Sequence, residues 1–122
     1  MALPESNDPM LLLHNPRCSK SRATLALLEE RDANFEVREY LSDPLTADEL
    51  SSLAERLGRP LREWIRSKEA AFSAAGLSSE SDDASLLNAV SSEPILMERP
   101  ILVRGSRAAI GRPPEDVLAL LD

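Results

Sequence analysis

The chain has 122 residues, of which 43% are hydrophobic, enough to bury one core without disulfide bonds. Its 21 acidic and 14 basic side chains give a formal net charge of -7, a field that repels phosphate backbones and anionic lipids, so we expect neither nucleic acid nor membrane as a partner. One cysteine and one histidine cannot form an internal disulfide or a structural zinc site, which indicates a cytoplasmic protein without a bound metal.

Residues 1–9 form a polar, proline-rich leader that has neither the basic nor the apolar part of a signal peptide. No apolar stretch approaches the roughly 20 residues that a membrane helix needs. We therefore predict a flexible arm over residues 1–9 and a single domain over residues 10–122. A monomer is the default expectation for its oligomeric state.

The first elements follow one another closely. Residues 10–13 are a continuous apolar run that ends before Asn15-Pro16, which predicts a buried strand. Apolar residues then recur at helical spacing over residues 19–31, and residues 35–40 alternate between apolar and charged side chains. This order predicts a βαβ unit whose two strands are parallel and joined by a right-handed crossover.

The rest of the chain predicts helices, a hairpin and a final helix. Thr46 and Glu49 have the spacing of a capping box, and the helix that they begin should end at Gly58. The later patterns predict short helices over 61–66 and 83–91 and a hairpin of strands 101–103 and 108–110. Pro113-Pro114-Glu115-Asp116 then open a last helix over 117–121, with proline and acidic residues in its first turn. The resulting α/β fold resembles a thioredoxin-like mixed sheet (β-α-β, helical insertion, β-β-α) flanked by helices.

Cys18 lies where the first strand passes into the first helix. A thiolate at a helix N-terminus accepts hydrogen bonds from unpaired backbone N–H groups and lies at the positive end of the helix dipole. The nearby side chains that favour the thiolate are His14, Arg17, Lys20, Ser21 and Arg22. The alternative is a small buried apolar cysteine, but such a residue needs no cluster of cations and hydroxyls around it. We therefore predict a reactive thiol.

Residues 14–22, His-Asn-Pro-Arg-Cys-Ser-Lys-Ser-Arg, resemble the active-site motif of the glutaredoxin-coupled arsenate reductase (ArsC) family, in its Cys-Ser-Lys-Ser-Arg branch. Residues 98–103 and 111–115 resemble the second and third motifs of that family, and with the similar segment 61–66 between them the similarity extends over about residues 11–121. The resemblance implies an oxidoreductase in which the cysteine attacks arsenate, glutathione displaces the adduct, and glutaredoxin completes the reduction to arsenite. It implies glutathione as thiol co-substrate and no bound cofactor.

The resemblance also assigns roles to individual residues. It makes Cys18 the nucleophile, with His14 and Ser21 assisting its ionisation, places Arg66, Arg99 and Arg112 on the oxyanion, and implies a cis peptide bond before Pro100. Guanidinium groups suit this task because they bind tetrahedral oxyanions through paired hydrogen bonds. From the residues alone, Arg66 and Arg112 are equally typical of solvated charges, and His14 of a core histidine held by the backbone.

Three alternatives remain open at this point. The family's resistance enzymes often carry Gly-Thr after the cysteine, whereas Ser19-Lys20 follow here, so the substrate is arsenate or a similar oxyanion. A regulator resembling the Spx proteins would bind RNA polymerase, but its usual Cys-X-X-Cys switch is impossible with Ser21 at the second position. The third alternative is a monothiol protein that exchanges glutathione without acting on arsenate.

Overall fold

The computed structural model describes residues 1–121. The chain divides into two compact units, a sheet unit built from residues 1–43 and from Arg99 onward, and a helical unit, Pro44–Glu98. No linker-like composition in the sequence predicts this division. No helix within the described residues is long and apolar enough to cross a membrane.

A four-stranded mixed sheet forms the centre of the sheet unit. Its strands are β1 (Met10–His14), β2 (Phe35–Glu39), β3 (Ile101–Arg104) and β4 (Arg107–Ile110), in the spatial order β2-β1-β3-β4. β1 is parallel to β2 and antiparallel to β3, and β3 and β4 form a hairpin. The predicted α/β class and mixed sheet are therefore confirmed.

The central strand β1 is buried along its whole length, as its unbroken apolar sequence requires of a strand covered on both faces. Helix α1 (Ser19–Glu30) connects it to β2, and a 3-10 helix, Pro114–Leu120, closes the unit. The core between them consists of Met10, Leu12, Leu28, Leu102, Val117 and Leu120. Because this packing fixes both β1 and α1, it also fixes the loop between them.

The leader contacts the sheet unit. Leu3 is only 9% exposed, and the α-ammonium group of Met1 lies 3.1 Å from a carboxylate oxygen of Asp43. Met1 and Leu3 therefore contact the sheet unit, and the flexibility of residues 1–9 stays a prediction.

The helical unit contains α2 (Ala47–Leu57), α3 (Ala70–Ala74) and α4 (Asp83–Ser92), with 3-10 helices at Leu61–Glu63 and Pro94–Leu96. Helix α2 begins with the predicted capping box, in which the Thr46 hydroxyl accepts from the Glu49 N–H and the Glu49 carboxylate accepts from the Thr46 N–H, each over 3.1 Å. It ends at Gly58, whose φ of 68° is a left-handed conformation that glycine adopts without steric cost.

One prediction for these helices was wrong. The helix expected over residues 61–66 stops at Glu63, because Ile65 pairs with Met97 in an antiparallel bridge and the Arg66 N–H donates to the Leu96 carbonyl over 2.6 Å. In the sheet unit, the last helix begins at Pro114, within the Pro-Pro segment predicted to open it, and is a 3-10 helix. Helix α3 was not predicted, since it has five residues and buries none of them.

Candidate active site

Cys18 occupies the N-cap position of α1, one turn beyond the end of β1. The turn is closed by the Cys18 N–H, which donates to the Asn15 carbonyl over 3.0 Å. The side-chain oxygen of Asn15 accepts from the Arg17 N–H over 3.0 Å, the local bond that makes asparagine a frequent turn residue. The strand, the Asn15-Pro16 turn and the helix together hold the thiol at the helix N-terminus, as predicted from their order.

The surroundings of the Cys18 thiol favour its thiolate. Burial raises the pKa of the thiol, but the backbone N–H of Ser21, the Arg99 side chain and the backbone N–H of Lys20 lower it by donating to the sulfur, and the net effect is a pKa below the ordinary value. In addition, Nη2 of Arg112 donates to Sγ over 3.6 Å. A larger fraction of thiolate at neutral pH makes Cys18 a better nucleophile.

The Ser21 hydroxyl contacts His14 and Asn15. Its oxygen accepts from the Asn15 N–H over 3.0 Å and is hydrogen-bonded to Nδ1 of His14 over 2.7 Å, all in a buried environment. Burial lowers the pKa of His14, the Glu39 carboxylate raises it, and Arg22 lowers it, with a net decrease. The imidazole is therefore neutral at neutral pH. The hydrogen bond between His14 and Ser21 orients the N-terminus of α1, where the Ser21 N–H donates to the sulfur.

Arg99 and Arg112 are joined through the backbone that precedes and follows the β3–β4 hairpin. The Gly111 N–H donates to the Pro100 carbonyl over 2.8 Å, and Nε of Arg112 donates to the Arg99 carbonyl over 2.8 Å. The Arg99–Pro100 peptide bond is cis, the form that the family resemblance implies, and so is Arg112–Pro113. The structure thus brings both guanidinium groups to the same sulfur.

Arg99 carries unused hydrogen-bond donors. Its Nε and Nη1 atoms are buried, and within residues 1–121 neither has a hydrogen-bond partner. Buried N–H groups are almost always paired, and an unpaired one costs about 1–3 kcal/mol. A cation with unpaired donors beside a thiolate is the arrangement that an incoming oxyanion would satisfy.

Arg66 belongs to the helical unit, and its guanidinium is occupied there. Nε lies 3.2 Å from the Glu69 carboxylate and Nη1 lies 3.3 Å from the Glu98 carboxylate. The side chain is 23% exposed. The oxyanion role of Arg66 stays a prediction from the sequence motif.

Three further residues shape this site and were not singled out from the sequence. Asn15 closes the turn, and Thr24 is fully buried on α1, its hydroxyl donating to the Lys20 carbonyl over 2.9 Å. A Cβ atom on Gly111 would lie 2.7 Å from Thr24 Oγ1 and 2.8 Å from Pro100 Cγ. The Asn-Pro pair and the Gly before Arg112 were visible signals, but the contact itself depends on tertiary packing.

The thiol site holds a nucleophile and cations rather than metal ligands. Nowhere in the described chain do three histidine, cysteine or carboxylate side chains come together as a metal site would require. Cys18 is a free thiol. The arrangement is suited to attack by sulfur on an electrophile that carries negative oxygens.

The family model described as the ArsC family matches residues 13–120 of the chain. An arsenate reductase of Haemophilus influenzae is 40% identical over 114 residues, which are 92% of this chain and 98% of that protein. The uncharacterized protein YfgD of Escherichia coli is 45% identical over 112 residues, 90% of this chain and 94% of that protein. Among solved structures, an arsenate reductase from Vibrio cholerae superposes with a TM-score of 0.87 at 41% identity, covering 91% of this chain and 96% of that one. The chain belongs to the ArsC family.

Proposed function

We propose that this protein is an arsenate reductase that uses glutathione, assisted by glutaredoxin, to reduce arsenate to arsenite. The observation that carries the proposal is the pairing of a stabilised thiolate, Cys18, with the buried unpaired donors of Arg99. Relatives named arsenate reductase at 40–43% identity over nine-tenths of the chain support the choice of oxyanion.

The first step is attack by the Cys18 thiolate on arsenic(V). A sulfur–arsenic bond forms, an arsenic–oxygen bond breaks, and the oxygen leaves as hydroxide or water. Arg99 and Arg112 would neutralise the remaining oxygens, because planar guanidinium groups form paired hydrogen bonds with tetrahedral oxyanions. Arg66 is the proposed third contact, on the strength of its place in the sequence motif.

Two electrons are then needed to convert arsenic(V) to arsenic(III). Since the chain has one cysteine, the second thiol comes from outside, and glutathione supplies it. The sulfurs of Cys18 and glutathione each give up one electron and join as a mixed disulfide, and arsenite leaves. Glutaredoxin and a second glutathione would return Cys18 to its thiol by exchange. Glutathione and glutaredoxin are found in the reducing cytoplasm, where we place this protein, as a monomer.

The test is arsenite formation by the purified protein in the presence of arsenate, glutathione and glutaredoxin. We expect turnover by the wild type and a loss of roughly 10³-fold or more in Cys18→Ser, as for other enzymes that lose their nucleophile. Arg107→Ala, which removes an exposed cation from the hairpin, serves as the matched control and should retain full activity. A wild type with a reactive thiol but no arsenite formation would show that arsenate is not its substrate.

A further inference from the structure

A groove of about 380 Å³ lies in the sheet unit beside the loop that carries the nucleophile. One wall is formed by Asn15, Pro16 and Arg17, the residues directly before Cys18, and the other by Glu39, Leu41 and Ser42, at and after the end of β2. The volume falls within the about 300–1,000 Å³ of small-molecule sites. Because β1 and β2 are parallel, with His14 opposite Glu39, the groove lies at their carboxyl ends, where α/β sheets commonly bind ligands.

The two walls carry opposite charges that the protein leaves unpaired. Arg17 and Glu39 are both exposed, and none of the salt bridges of the described residues includes either of them, although the Glu39 carboxylate raises the pKa of His14. Leu41, 37% exposed, adds an apolar surface to the groove. A ligand that satisfies this groove carries a carboxylate, an ammonium group and a short connecting chain.

We propose that this groove binds the thiol co-substrate, a small zwitterionic thiol such as glutathione, with a carboxylate on Arg17 and the ammonium group on Glu39. The choice of glutathione rests on the proposed function. The groove and the nucleophile share one turn, since the Cys18 N–H donates to the carbonyl of Asn15 in the groove wall. A thiol held there therefore approaches along the loop that carries Cys18.

The test uses a reaction that needs no arsenate. The Cys18 thiolate attacks one sulfur of glutathione disulfide, the S–S bond breaks, a Cys18–glutathione mixed disulfide forms, and one glutathione thiolate leaves. The rate of this exchange is measured by mass spectrometry on the purified protein. Bis(2-hydroxyethyl) disulfide, which has no charged groups, is the matched probe that cannot use Arg17 or Glu39.

The Glu39→Gln variant separates the two explanations, because they predict opposite changes in the exchange rate. Glutathione disulfide has a net negative charge, so removal of a carboxylate would speed the exchange if the groove supplied only a general electrostatic field. If Glu39 pairs with the ammonium group, the same change slows it, by roughly two- to fivefold for an exposed ion pair. Arg17→Ala should slow it comparably, and each variant should slow the reaction with the uncharged disulfide less, because that probe responds only to a change in the thiolate itself.

Two control variants make the same changes of charge as Glu39→Gln and Arg17→Ala, but at positions outside the groove. Glu36→Gln alters an exposed carboxylate on the same strand, and Arg107→Ala removes an exposed cation from the hairpin. Both should react as the wild type does with either probe. Faster exchange in Glu39→Gln, or equal slowing with both disulfides, would overturn the proposal.

The two proposals fail separately. If the wild type reduces no arsenate and Glu39→Gln still slows exchange selectively, the groove stands and the reductase assignment falls. If arsenate is reduced and both groove variants match the wild type with glutathione disulfide, the reductase assignment stands and the groove proposal is wrong.

Discussion

Arg99 and Arg66 are both arginines that the family motifs assign to the oxyanion, yet their guanidinium groups have opposite surroundings. Nε and Nη1 of Arg99 are buried without a partner among residues 1–121. The same two nitrogens of Arg66 face the carboxylates of Glu69 and Glu98 at 3.2 and 3.3 Å. Arg99, in the sheet unit, therefore has donors available to an anion, whereas Arg66, in the helical unit, is already neutralised by carboxylates.

Because of this difference, an anion gains more by contacting Arg99 than by contacting Arg66. Binding to Arg99 relieves buried donors that otherwise cost about 1–3 kcal/mol each. Binding to Arg66 requires the anion to compete with two carboxylates that already satisfy the guanidinium. We therefore expect the affinity for an oxyanion to come chiefly from the sheet unit, where Arg99 and Arg112 contact the Cys18 sulfur.

The comparison is tested most strongly by removing each arginine in turn. We expect Arg99→Ala to lower kcat/KM for arsenate by about 10²–10³-fold, the usual effect of losing one donor that stabilises a developing oxyanion. Arg66→Ala should lower it by no more than about fivefold, the range of a partly exposed ion pair. Initial rates of arsenite formation over a range of arsenate concentrations measure both.

Arg99→Lys separates charge from geometry in the same assay. Lysine keeps the positive charge but lacks the planar fork that binds two oxygens at once, so most of the loss should persist. Equal losses in Arg66→Ala and Arg99→Ala would show that carboxylate pairing does not decide which arginine matters, and the comparison would fail.

Arg112 should also affect the titration of Cys18. Nη2 of Arg112 donates to Sγ, which stabilises the thiolate, so Arg112→Ala should raise the pKa of the thiol. The pH profile of alkylation by iodoacetamide then moves to higher pH, and at a pH below the thiol pKa the rate falls. This effect is smaller than that of Arg99→Ala because Arg99 and the backbone N–H groups of Lys20 and Ser21 still lower the pKa.

Arg66→Ala provides the comparison for this titration, since the Arg66 guanidinium is paired with the carboxylates of Glu69 and Glu98. Its alkylation profile should coincide with that of the wild type. An unchanged profile in Arg112→Ala would mean that the 3.6 Å contact does not stabilise the thiolate in solution.

The elements with strong local signals could be predicted from the sequence. The apolar run of β1, the capping box of α2 and the position of Cys18 between a strand and a helix depend on neighbouring residues only, and the structure has them where expected. Helix α3 and the early end of the helix at Glu63 have no local signal. The early end of the helix at Glu63 depends on the bridge between Ile65 and Met97, residues 32 positions apart.

The candidate site divides in the same way. The thiol and the backbone donors of Lys20 and Ser21 lie within four residues and were predictable from their place at a helix N-terminus. The approach of Arg112 to Cys18, 94 residues away, follows from the antiparallel pairing of β1 with β3, which no local pattern specifies; only the family motif suggested it. The Ser21 hydroxyl was expected near the sulfur, but buried Asn15 and His14 give it other partners.

The smallest expected effect comes from Gly111→Ala, which leaves both arginines of the sheet unit in place. The new Cβ would lie 2.7 Å from Thr24 Oγ1 and 2.8 Å from Pro100 Cγ. Thr24 is hydrogen-bonded to the Lys20 carbonyl and the proline ring is rigid, so the segment carrying Arg112 has to move instead. We expect a loss of about 1–3 kcal/mol in the free energy of unfolding, as for other overpacked sites, measured by urea denaturation.

The same shift should move Arg112 away from Sγ, so the alkylation profile of Gly111→Ala moves to higher pH, though less than that of Arg112→Ala. The double variant Thr24→Ala/Gly111→Ala removes the closest atom and should recover part of both losses, because residues in direct contact are energetically coupled. Wild-type stability and titration in Gly111→Ala would show that the segment adjusts without moving Arg112. If the double variant instead recovers both the titration and the stability, close packing of Gly111 positions Arg112 on the sulfur. The packing then positions one of the two arginines by which the sheet unit differs from Arg66.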